Sequence, residues 1–68
     1  MTDNEIAIKA RETAQGVINT LLETRKNGGN TDLEAILIRT FETLSNVHRK
    51  AVGKGLIIRE DWVVQEEV

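Results

Sequence analysis

The apolar positions of the chain fall into two long stretches with a helical period and one short stretch without one. Along residues 3–26, Ala7, Ala10, Ala14, Val17 and Leu21 recur at alternating spacings of three and four, and Ile6, Ile18 and Leu22 widen the stripe. That spacing predicts a helix with one apolar face. Its first half is built from alanine, with Gly16 beside it, so another backbone can approach closely there. The half from Val17 to Leu22 needs bulkier packing. Residues 32–52 repeat the pattern with Leu33, Ile36, Leu37, Phe41, Leu44, Val47 and Ala51, while Ile38, Ser45, His48 and Val52 fall on the flank. The apolar arc of this second helix takes up roughly half its circumference, more than one neighbouring helix can cover.

Start and stop signals bound both stretches. Thr2-Asp3-Asn4-Glu5 and Thr31-Asp32-Leu33-Glu34 each have the spacing of a capping box, with acidic residues where the helix dipole is positive. Met1 is placed to pack on Ile6 as a hydrophobic staple. Arg25 and Lys26 close the first helix and Gly28 stops it; Gly53 stops the second. The intervening turn, residues 27–31, is short enough to make the two helices antiparallel neighbours.

The remaining segment, residues 55–68, holds Leu56-Ile57-Ile58 and Trp62-Val63-Val64, apolar and largely β-branched without strict alternation. It predicts an extended arm with a bend at Arg59-Glu60-Asp61, packed on the wide arc of the second helix in its own chain or swapped onto a partner. The fold class expected is therefore mainly all-α, in a single domain. It is an antiparallel helical hairpin with a short C-terminal extended arm, and two copies are expected to pair as a four-helix bundle.

Composition strengthens the case for pairing. A chain of 68 residues buries only about 60% of the surface its unfolded form exposes. It has no cysteine and a single histidine, so neither a disulfide scaffold nor a thiolate or imidazole zinc site is expected, and no cofactor motif is present. The longest apolar run, Ala35 to Ile38, is far below the roughly 18 residues that suggest a membrane span. With no basic-then-apolar leader at the N-terminus, a cytoplasmic protein is expected.

Charge is segregated: residues 1–34 carry a net -2, residues 35–59 a net +4 and residues 60–68 a net -4. The basic part supplies Arg39, Arg49, Lys50 and Lys54, a set that could follow a phosphate backbone, and this gives the alternative reading of a small nucleic-acid-associated regulator. Against it stand a pI near 5.3 and the scarcity of aromatic side chains for base stacking. Ser45 and His48 share a helix side but lack an orienting carboxylate and an oxyanion site, so no catalytic residue is assigned and no enzymatic activity is expected.

Protein recognition uses what the chain has in excess, which is apolar surface. Ile38, Phe41, His48, Val52 and Trp62, with Arg39 and Arg49 at the rim, combine the aromatic and arginine residues typical of interface hot spots. In size and composition the chain is similar to small single-module accessory proteins of phages and mobile elements that bind a host protein. The function expected is that of a homodimeric, non-enzymatic regulator or inhibitor of a partner protein.

Overall fold

A computed structural model describes residues 1–67. Helix α1 spans Asp3–Lys26 and α2 spans Thr31–Val52; strands β1, Leu56–Arg59, and β2, Trp62–Gln65, follow. The two helices lie side by side, antiparallel, and the two strands form a sheet that packs with β2 on α1 and β1 on α2. The chain is thus mainly helical, two layers deep, with a long axis of 39 Å.

The capping box on α1 forms: the Thr2 hydroxyl accepts from the Glu5 N–H at 3.2 Å, and Glu5 Oε1 accepts from the Thr2 N–H at 3.4 Å. At α2 the start moves one residue upstream of expectation. Asn30 is the cap, its Oδ1 accepting from the Leu33 N–H at 3.0 Å, while Glu34 Oε2 accepts from the Asn30 N–H at 3.1 Å. Thr31 is the first helical residue. The reason for the shift lies in Glu34, which also receives Arg25 Nε at 2.7 Å and so ties the end of α1 to the start of α2. Gly28 and Gly29 take φ of +101° and +81° in the turn, and Gly53, at +81°, donates its N–H to Arg49 O as a left-handed cap on α2.

The C-terminal arm is a β-hairpin: the expected extended arm is two strands, and the bend expected at residues 59–61 is its turn. Ile57 faces Val64 and Arg59 faces Trp62 in antiparallel register, and Glu60-Asp61 makes a two-residue turn. Glu60 has φ +59°, a left-handed conformation that costs a side-chain-bearing residue about 1–2 kcal/mol. Gly or Asn is the usual occupant of such a position, and neither stands here.

The core sits mostly on α1: Ala7, Ala10, Ala14, Ile18 and Leu21 are buried, joined by Leu56 of β1. Ile18 rather than Val17 occupies the centre of the face. Gly16 is exposed with open space where a Cβ would stand, so the close approach of α2 is owed to the alanines alone. On α2 the outcome inverts the hydropathy. Its two buried residues are Ser45 and His48, Leu37, Phe41 and Leu44 are half-buried, and Leu33, Ile36 and Val47 stay exposed. The helix is rotated so that the polar flank meets the rest of the molecule.

Candidate functional site

The rotation of α2 follows from what the β-hairpin needs. Ser45 Oγ accepts from the Leu56 N–H at 2.8 Å and donates to the Leu56 carbonyl at 3.3 Å, both inside the core. His48, with no exposed surface, bonds the Lys54 carbonyl through Nδ1 at 2.5 Å. A carbonyl can only accept, so Nδ1 is the donor, and Nε2 is buried without a hydrogen-bond partner among the described residues. The short alanines of α1 leave room for a whole imidazole in the helix interface. From the other helix, Gln15 Oε1 accepts from the Val63 N–H at 2.8 Å and Gln15 Nε2 donates to the Asp61 carbonyl at 3.0 Å.

Glu66 completes the attachment. Its Oε1 accepts the Gly55 N–H at 2.6 Å and Arg49 Nη2 at 3.1 Å. The Gly55 N–H and, after it, the Arg49 guanidinium hold this carboxyl below its ordinary value of 4.5. Gly55 is required for space: a Cβ there would meet Ser45 Oγ at 2.8 Å and Glu66 Oε1 at 2.5 Å. At the opposite end of the molecule, Arg25 first and then the Asn30 N–H lower Glu34 in the same way.

The residues expected to form one partner-binding patch are divided among several places. His48 is sealed inside and cannot touch a partner, which corrects its place in the patch. Ile38, Phe41 and Val52 lie on the same side of α2 as Ser45, facing the hairpin; Ile38 is 40% exposed, while Phe41 and Val52 are half-buried. Arg49 is on that flank too, but bonded to Glu66 and to Asn46. Arg39 projects from the far side of α2, away from the others. Trp62 is 64% exposed, opposite Arg59 on the sheet face turned from Leu56 and the helices. Of the basic set, Arg49 is engaged with Glu66, which leaves Arg39, Lys50 and Lys54 on the surface.

Sequence reasoning missed Gln15 and Glu66 altogether and read Ser45 as a flank residue. The signal for Ser45 and His48 was their shared helix side just ahead of the glycines at 53 and 55; Gln15 carries no comparable signal.

As chemistry, Ser45 and His48 are committed to backbone groups of the hairpin, and no bond joins one to the other among the described residues. Two open grooves of about 210 and 240 Å³ lie between the N-terminal half of α1 and the C-terminal half of α2. Among the described residues no cluster of three His, Asp or Glu groups comes together, and no helix is long and apolar enough to cross a membrane. Compared with known proteins, the chain matches no family model, no curated protein and no solved structure.

Proposed function

We propose that the chain is a small non-enzymatic protein-binding module, a regulator or inhibitor of a partner protein, that pairs with a second copy as a four-helix bundle. The observation that carries this reading is the amount of apolar surface left open: Met1, Ile8, Leu33, Ile36, Ile38, Val47, Ile58 and Trp62 are each 39–82% exposed. A chain that held only itself together would gain from burying several of these. For the partner protein the favoured surface is the hairpin side, where Trp62, with Arg59 facing it across the strands, offers an aromatic anchor beside a guanidinium. Affinity capture with the full chain tests this. Trp62→Ala is expected to lose the captured protein, with smaller losses for Ile38→Ala and Arg59→Ala. A capture unchanged by all three substitutions would overturn the assignment of the surface.

A further inference from the structure

The β-hairpin covers one side of the two-helix layer, and the other side is bare. That bare side is continuous. On α1 it begins with Met1, Ile6 and Thr13, and on α2 Leu44, Val47 and Ala51 stand across a shallow groove from them. Helical spacing carries the α1 line on through Val17, Thr20 and Thr24, and the α2 line back through Thr40, Ile36 and Leu33. Ile36 and Val47 are 60% and 39% exposed. None of the residues on the two lines is charged; Asp3, Lys9 and Lys50 border the groove.

We propose that this face is where two copies of the chain pair, helical layer on helical layer, with both β-hairpins outward. The inference rests on the reading that the chain pairs with itself and adds which surface does so. Three observations select a second copy as the occupant. First, area: the chain exposes 4767 Å², against about 4,300 Å² for a compact monomer of 7.6 kDa. A face 39 Å long and two helices, about 20 Å, wide offers roughly 800 Å², the share each partner contributes to a stable interface.

Second, the polar groups on the face need nothing from outside. Thr13, Thr20, Thr24 and Thr40 donate their hydroxyls at 2.8–3.0 Å to the carbonyls of Lys9, Gly16, Thr20 and Ile36, each one turn back on its own helix. Their methyl groups remain for a partner, so the face can be buried dry without leaving an unpaired donor.

Third, charge complementarity fixes the orientation. Asp32 and Lys50 stand on the same edge of α2, five turns and about 27 Å apart. A twofold axis crossing α2 at the level of Phe41 sets Asp32 of each copy beside Lys50 of the other and lays Ile36 of each over Val47 of the other. A twofold axis running along α2 would instead make the two copies parallel and bring like charges together. The two loops linking the helices then lie at opposite ends of the assembly.

Sedimentation equilibrium of the full chain, from low micromolar to near-millimolar concentration, tests the proposal. The wild type is expected at twice 7.6 kDa. Ile36→Glu and Val47→Glu, each on an exposed position that leaves the helical circular dichroism unchanged, should weaken pairing at least tenfold, whereas Trp62→Glu on the opposite side should change it less than twofold. Asp32→Lys and Lys50→Glu should each weaken pairing, and the double substitution should restore it. A dimer that survives both face substitutions and dissociates with Trp62→Glu would overturn the choice of face while leaving self-pairing intact. A double charge variant weaker than either single one would overturn the antiparallel orientation. A wild type that stays monomeric throughout would overturn this proposal and the self-pairing reading together.

Discussion

The two sides of the helical layer differ in the opposite sense from their hydropathy. Under the hairpin, the contacts of α2 are made by a serine and a histidine, both buried and both bonded to backbone; on the bare side, leucine, isoleucine and valine stand in solvent. Apolar content alone does not decide which side of a helix turns inward. A β-hairpin laid on helices brings backbone N–H and C=O groups with it, and each left unpaired in the core costs about 1–3 kcal/mol. Ser45, His48 and Gln15 answer that demand at five backbone groups, and the rotation that lets them do so exposes the apolar edge of α2.

If that contrast is right, substitutions under the hairpin should be far costlier than chemically larger ones on the bare side. The largest effect is expected from His48→Ala, which empties a fully buried imidazole site and orphans the Lys54 carbonyl. A loss of about 2–4 kcal/mol in urea unfolding is expected, by analogy with other large-to-alanine core changes. Ser45→Ala should follow with about 1–3 kcal/mol, because the Leu56 N–H is then buried without an acceptor. In a domain of this size each kcal/mol lowers Tm by about 4–8 °C. An unchanged Tm in either variant would mean that the hairpin does not depend on these anchors.

Acid should loosen the hairpin in a way that Glu66 controls. Its carboxyl is lowered in the folded chain by Gly55 and Arg49, so its contribution is complete above the ordinary value of 4.5 and is lost as pH falls below that through the folded value. Glu66→Gln should therefore flatten the fall of Tm over this acid range, and Arg49→Ala should flatten it less, since the backbone bond is the larger cause. An identical acid slope in wild type and Glu66→Gln would remove the carboxylate from the attachment. The smallest effect belongs to the bare side: Ile36→Thr, measured at a dilution where the chain is monomeric, should shift stability by no more than about 0.5 kcal/mol. A loss above 1 kcal/mol there would place Ile36 in the core and break the contrast.

Helix positions and the antiparallel connection were legible because caps and glycines act locally, within three or four residues. Even the one-residue shift at Asn30 came from a distant group, Arg25, reaching into the cap. The hairpin was not legible as such, since Glu60-Asp61 lacks turn chemistry and Leu56 to Ile58 shows no alternation. The orientation of α2 was hidden for a deeper reason. Periodicity weighs Ser45 and His48 as polar and therefore outward, whereas their burial depends on hydrogen bonds to residues 54 and 56 that exist only once the chain has folded back. The expected patch failed at His48 for the same reason; Trp62 and Ile38 are exposed.

The side chains that hold the hairpin also close it to strangers. A two-stranded sheet has two outer margins, each a template on which another extended chain can add a strand and begin to aggregate. Ser45 occupies the margin of β1 at Leu56, and Gln15 occupies that of β2 at Val63. Both positions are held by residues from two different helices, so a strand adding there would have to displace a side chain of the chain's own helices. Removing Gln15 would therefore do more than loosen a turn; it would free the Val63 N–H on that margin.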